Sequence, residues 1–152
     1  MTRLTRVCVL MVGLAAALTL SADAASAQGL GVRAGASADP DQFYFGGHFE
    51  TGPLADRVHF RPNVELGVGN DLTTVAANLE LVYKAPLRRH PWSVYGGGGP
   101  AINFYDFEND SETEGGFNIL GGFEHRDGLF FEVKFGMIDS PDFKVGIGYS
   151  FR

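Results

Sequence analysis

Three histidines with carboxylates nearby in the sequence are the residues best suited to catalysis: His48, His59 and His125, the last flanked by Glu124 and Asp127. A serine-type hydrolase needs a nucleophilic hydroxyl beside a histidine that a carboxylate orients. No serine lies within two residues of His125, and none lies near the other two. We therefore predict no catalytic residue, and expect His48 to form hydrogen bonds in the interior and the other two to lie at an interface.

The acidic segment of residues 106–114 is a second candidate, with five carboxylates and no basic residue. Such a segment could bind divalent cations, but it lacks the mid-loop glycine of a calcium-binding hand. Carboxylates without counter-charges repel one another and favour a solvated loop. We predict a surface loop here, and no metal site.

Two short motifs complete the set of candidates. The run Gly96 to Gly99 has a superficial likeness to a phosphate-binding loop, but it leads into Pro100 and further strand instead of a helix. We interpret it as a crowded or curved stretch of strand. The turn Arg88-Arg89-His90 could contact lipid phosphates, and ordinary surface charge explains it equally well.

An export signal accounts for residues 1–27. Arg3 and Arg6 precede an apolar run over residues 7–20, and Ala25-Ser26-Ala27 supplies the small residues that a signal peptidase accepts. The apolar run is shorter than the roughly 20 residues that a membrane-spanning helix needs. The alternative, a retained membrane anchor, is therefore disfavoured, and we predict a mature domain of residues 28–152.

The composition of the mature domain excludes several classes of protein. Its 125 residues include 10 basic and 17 acidic ones, a net charge of −7, which argues against a nucleic-acid partner. Cys8, the only cysteine, is removed with the signal. Disulfides, thiolate metal sites and a cysteine nucleophile are thereby excluded, and we predict no cofactor.

Strict alternation of apolar and polar residues dominates the mature chain, most clearly over residues 58–69 and 74–84. This period of two is typical of strands with one apolar and one polar face. The same pattern predicts eight strands, at residues 29–38, 42–52, 58–70, 72–85, 92–106, 114–126, 129–138 and 142–152. The links are short and rich in turn formers, which favours hairpins. We predict an all-β fold, an eight-stranded antiparallel up-and-down barrel.

The direction of the apolar face distinguishes a membrane barrel from a soluble lipocalin-like barrel that binds an apolar ligand. The charged residues of the polar face balance, five against five, as an enclosed network of paired charges requires. Glycines interrupt that face, as expected of a narrow interior. We therefore favour a transmembrane barrel. Its predicted interior network is Arg33, Glu50, Arg61, Glu65, Glu80, Lys84, Glu124, Glu132, Lys134 and Lys144. Its predicted lipid-facing residues include Val64, Leu66, Val75, Leu79, Leu81, Val133, Val145 and Ile147.

The mature chain resembles the small outer-membrane β-barrel proteins of Gram-negative bacteria, typified by the OmpA transmembrane domain and the OmpX and opacity-protein groups. The resemblance is carried by the signal ending, the eight alternating segments, residues 124–132 across the last tight turn, and the closing alternation. That alternation consists of Phe143, Val145, Ile147, Tyr149 and Phe151. In the family a terminal aromatic is recognised by the barrel-assembly machinery, and here Phe151 is penultimate.

The resemblance implies a monomer in the cell outer membrane, in contact with outer-membrane lipids and lipopolysaccharide. It also implies that both chain ends lie in the periplasm and that residues 39–41, 69–71, 106–114 and 139–142 face outward. The expected role is envelope-structural or surface interaction, with at most a narrow pore. A soluble lipocalin-like barrel and a lipid A-modifying enzyme are the alternatives.

Overall fold

A computed structural model describes residues 29–70, 72–107 and 110–151. The predicted signal segment lies outside these residues. The described chain contains eight strands: β1 (Gly29–Ala38), β2 (Gln42–Glu50), β3 (Val58–Gly69), β4 (Leu72–Pro86), β5 (Trp92–Phe107), β6 (Ser111–His125), β7 (Leu129–Met137) and β8 (Phe143–Ser150).

The strands form one closed antiparallel barrel in chain order, with β8 pairing back onto β1. The predicted eight-stranded up-and-down barrel is therefore confirmed. Closure satisfies the backbone of both outermost strands, which would otherwise be open sheet edges. We call the end with the turns β1–β2, β3–β4, β5–β6 and β7–β8 the upper end, and the opposite end the lower end.

Strand lengths are uneven around the barrel. Strands β4, β5 and β6 contain 15, 16 and 15 residues, whereas β7 and β8 contain 9 and 8. The β5–β6 hairpin therefore rises above its neighbour β7 at the upper end. Its pairing continues as far as Asp106 opposite Ser111.

The prediction of a loop over residues 106–114 was wrong, because β6 begins at Ser111 and not at Glu114. Ser111, Glu112 and Thr113 are all exposed, so neither face of this stretch needs apolar residues. The alternation that reveals a strand in the sequence is consequently absent, although the backbone ladder with β5 persists.

Two local features follow from single residues. Pro100 has no N–H to donate, and the β4–β5 ladder is interrupted between the pairs Asn78–Ala101 and Leu81–Gly98. Gly128 closes the tight β6–β7 turn at a φ of +108°, where its N–H donates to the His125 carbonyl oxygen. A side chain there would also collide with the Ser150 carbonyl.

Candidate functional site

The barrel interior holds the ten charged residues singled out in the sequence. All ten are at most 9 % exposed, and they include five glutamates and five basic residues. The predicted lipid-facing residues lie on the opposite, outer face, where Leu79 and Leu81 are each 51 % exposed. The two-residue period of each strand produces this separation.

The upper part of the network centres on Glu65 of β3. Lys134 and Lys144 donate to its two carboxylate oxygens at 2.9 and 2.8 Å, and Arg33 lies 3.4 Å away. Lys134 also donates to Glu80 at 2.7 Å, and Glu80 accepts a further bond from Asn63 at 2.8 Å. Each charge in this part of the interior therefore has a counter-charge within hydrogen-bond distance.

The lower part of the network centres on Arg61. Its Nε and Nη2 both donate to Glu50 Oε2, at 2.8 and 2.6 Å, and its Nη1 donates to Glu132 at 3.3 Å. Lys84 bridges Glu50 and Glu124. Glu132 accepts from Arg33 at 3.0 Å, and this contact joins the lower and upper parts into one network.

A ladder of amides extends the network across three strands. Asn118 donates to Asn78 and Asn78 donates to Asn63, each at 2.8 Å. Asn63 then donates to Glu80. The amide ladder connects β6 to β4 and β3 with no additional charge, so the five-to-five balance is preserved.

An apolar cluster occupies another part of the interior. Val82, Tyr95, Leu120 and Phe130 are each at most 3 % exposed and pack together. They are apolar residues at otherwise polar positions of the strand alternation. Arg61 covers two of them, with its guanidinium carbon 4.7 Å from the Tyr95 ring centroid and 5.5 Å from that of Phe130.

Three of the large inward aromatics lie directly opposite a glycine in the strand register, whereas Tyr105 lies opposite Thr74 and Glu112. Tyr95 pairs with Gly122, Phe130 with Gly148 and Tyr44 with Gly35. A Cβ at Gly122 would lie 2.7 Å from the Tyr95 ring, and one at Gly35 would lie 2.7 Å from the Tyr44 hydroxyl. In each pair the two residues belong to neighbouring strands of the same hairpin. A search for aromatic residues opposite glycines across the predicted turns could therefore have identified these pairs from the sequence.

The histidines have environments that the sequence only partly predicts. His48 Nε2 and Ser150 Oγ share a buried hydrogen bond of 2.9 Å, although 102 residues separate them. His48 Nδ1 has no hydrogen-bond partner among the described residues, so no described carboxylate orients this ring. The arrangement lacks the third member of a serine-type triad.

The other two candidate histidines, His59 and His125, lie near the lower end. His59 Nδ1–H donates to the Thr51 carbonyl at 3.0 Å. His125 packs against the Trp92 ring at a centroid distance of 4.9 Å, and its Nδ1 lies 3.2 Å from Asp127. No group of three or more metal-ligating side chains occurs in the part of the chain that the structure describes.

The outer surface is apolar over the height of the barrel. Aromatic side chains concentrate towards its two ends. At the upper end Phe135 and Phe143 pack at a ring distance of 5.4 Å. At the lower end Trp92 stacks on Phe131 at 6.2 Å, and Tyr149 packs against Phe151 at 5.4 Å. This distribution is typical of a barrel with two interfacial girdles.

Comparisons with known proteins identify the fold and not a family. No protein-family model and no curated protein matches the chain. The N-terminal β-barrel domain of Pseudomonas aeruginosa OprF superposes with a TM-score of 0.65 at 14 % identity, over 82 % of this chain and 95 % of that one. Neisserial surface protein A (NspA) superposes with a TM-score of 0.54 at 13 % identity, over 82 % and 94 %. The chain therefore has the fold of the small eight-stranded outer-membrane β-barrels.

Proposed function

We propose that this protein is an exported, integral outer-membrane β-barrel with an envelope-structural or surface-interaction role and at most a narrow pore. One observation carries the proposal: ten charged side chains of the strands are buried inside, and many large apolar side chains are exposed on the outside. In water, so extensive an apolar surface would drive aggregation. In a bilayer the same surface faces hydrocarbon, and its two aromatic girdles lie at the interfaces.

The partners of such a barrel are outer-membrane lipids and lipopolysaccharide, together with the barrel-assembly machinery during biogenesis. Closure of β8 onto β1 pairs the first and last strands within one chain, which supports a monomer. The interior that the structure describes contains ion pairs and packed aromatics where a lipocalin would hold an apolar ligand. This favours the membrane barrel over the soluble one.

Cell fractionation tests the proposal directly. The protein should pellet with the outer membrane and require detergent for release, whereas a soluble exported barrel is released by osmotic shock. Unboiled and boiled samples should also migrate differently in SDS, because a closed barrel has no sheet edge from which to unzip. Release by osmotic shock together with identical mobility would contradict the proposal.

Single-cysteine scanning of β4 tests the orientation of the two faces. Cysteine at Val75, Ala77, Leu79 or Leu81 should react with a bilayer-confined thiol probe, because these side chains point outward. Cysteine at Asn78 or Glu80, both at most 1 % exposed, should be protected. The predicted mature chain contains no competing cysteine. Uniform labelling along the strand, or labelling of only the inward positions, would overturn the assignment.

Conductance measurements test whether the interior is sealed. The ion-pair network and the aromatic cluster occupy the space that continuous water would need in an eight-stranded wall. Planar bilayers containing the protein should show no large stable channels. Stable large channels would show that the interior rearranges and would refute the sealed barrel.

A further inference from the structure

Strand β6 carries an unpaired backbone edge at the upper end. Its pairing with β7 begins at Phe117 opposite Met137, whereas its pairing with β5 extends as far as Ser111. Among the described residues, the stretch 111–116 therefore has a strand partner on one side only. The other described strands pair on both sides over most of their length, apart from the interruption of the β4–β5 ladder at Pro100, so this step in the rim creates a local edge.

The hydrogen-bond pattern identifies which backbone groups face the open side. The Phe107 N–H donates to the Asp110 carbonyl at 2.8 Å, so residues 107 and 110 form a hydrogen-bonded pair. Such pairs alternate with non-hydrogen-bonded ones in an antiparallel ladder. Ser111, Thr113 and Gly115 consequently direct their N–H and C=O groups away from β5. Continued down the ladder, the same alternation makes Pro100 and Phe117 a non-hydrogen-bonded pair. This position suits Pro100, because proline has no N–H to donate to β6.

The open edge is accessible. The β7–β8 turn bends inward over the barrel mouth, where Asn103 Nδ2 donates to the Asp139 carbonyl at 3.0 Å. Thr113 and Gly115 are exposed, and a Cβ at Gly115 would meet no atom within 4 Å. The Ser111 N–H is already bonded to Asp110 Oδ1 at 2.8 Å. Within the part of the chain that the structure describes, the backbone groups without a partner are therefore the Ser111 carbonyl and the N–H and C=O of Thr113 and Gly115.

The acidic residues around the open edge favour a partner of opposite charge. Glu112 and Glu114 alternate with the edge residues, and neither is fully buried. The described residues of the upper-end turns contain no Lys or Arg. Together with Asp106 at the end of β5 they add further acids: Asp39, Asp41, Asp110, Asp139 and Asp142. A second copy of this edge, paired antiparallel about Thr113, would place Glu112 opposite Glu114. Like charges in that position destabilise a strand pair, which disfavours self-association in this register.

We propose that residues 111–115 bind an extended, basic peptide segment of another protein by strand addition. The partner's backbone pairs with Thr113 and Gly115, and Lys or Arg at every second position faces Glu112 and Glu114. A basic peptide would be a specific partner for the surface-interaction role of the proposed function. The inference rests on that function, because the upper end is accessible to such a partner only if it lies outside the cell.

Replacement of the edge residue tests the backbone contact. Thr113→Pro removes the outward N–H while leaving the pairing with β5 possible, and Thr113→Ala keeps the N–H and serves as the matched control. The probe is a fluorescent peptide of alternating lysine and threonine, titrated by anisotropy against the full chain in neutral detergent. Thr113→Pro should weaken binding about tenfold, and Thr113→Ala should leave it unchanged. Heat-dependent mobility in SDS verifies that each variant has folded.

Two comparisons separate strand addition from general charge attraction. A peptide of the same composition with its lysines in one block should bind more weakly, because it cannot place a charge at every second position. Glu112→Gln with Glu114→Gln should weaken binding and reduce its salt dependence. Equal affinity for both peptides, or for Thr113→Pro and Thr113→Ala, would overturn the proposal. The peptide assay is run in detergent, so its result does not depend on where the protein fractionates in the cell. Failure of the strand-addition proposal can therefore be distinguished from failure of the outer-membrane proposal.

Discussion

The charged network and the aromatic cluster fill the same barrel interior by different physical means. Around Glu65 and Arg61, the interior is filled by pairing charges, each held within a few ångströms of a counter-charge. Around Phe130 and Tyr95, it is filled by shape, with each aromatic lying over a glycine on the neighbouring strand. The first region is sensitive to the loss of a charge, and the second to a change in volume. Substitutions in these two regions of one interior should therefore have distinct consequences.

The largest effect is expected from Glu65→Gln. This change leaves Lys144 without its hydrogen-bonded carboxylate and removes one contact each from Lys134 and Arg33. Breaking a buried ion pair from one side costs about 3 to 5 kcal/mol, because the remaining charge stays buried without its partner. Urea unfolding of the barrel in lipid vesicles measures the free energy of unfolding.

Glu112→Gln is the matched control for that change, because Glu112 is exposed at the upper end. Its free energy of unfolding should stay within about 0.5 kcal/mol of the wild type. Equal costs for the two substitutions would show that the interior network does not contribute to stability through charge pairing.

A smaller effect is expected from Gly148→Ala in the aromatic region. The new Cβ would lie 2.5 Å from both Phe130 Cε1 and the Val32 carbonyl oxygen, so the structure must shift. Overpacking of this kind costs about 1 to 3 kcal/mol. Gly115→Ala is the control, since a Cβ there meets no atom within 4 Å. If both alanines had the same effect on unfolding, the aromatic and glycine pairs would not be constrained by volume.

The smallest effect is expected from Asp127→Asn at the lower end. The carboxylate lies 3.2 Å from His125 Nδ1, but the Asp127 side chain is 71 % exposed. Solvent screens such a pair, and its loss should change the free energy of unfolding by about 0 to 1 kcal/mol. A cost equal to that of Glu65→Gln would contradict the distinction between buried and exposed pairs.

The sequence alone predicted the number of strands, the closed barrel and the inward direction of the charged residues. These properties depend on a two-residue period within single strands, such as β3 and β4, and each strand carries that information locally. The balance of five glutamates against five basic residues could also be read before any fold was known. It predicted an enclosed set of charges, although not which charge pairs with which.

Only the tertiary structure decided the individual partners. His48 meets Ser150 and Arg33 meets Glu132 across 102 and 99 residues, because closure of β8 onto β1 brings distant strands around one narrow interior. The start of β6 at Ser111 was also hidden from the sequence. With water on both faces of that stretch, no alternation is needed, and the strand is defined by its backbone pairing with β5. The physical reason is that the side-chain pattern of a strand reports only the environment that each of its faces meets. Register and closure depend on backbone contacts between strands, which no local pattern encodes.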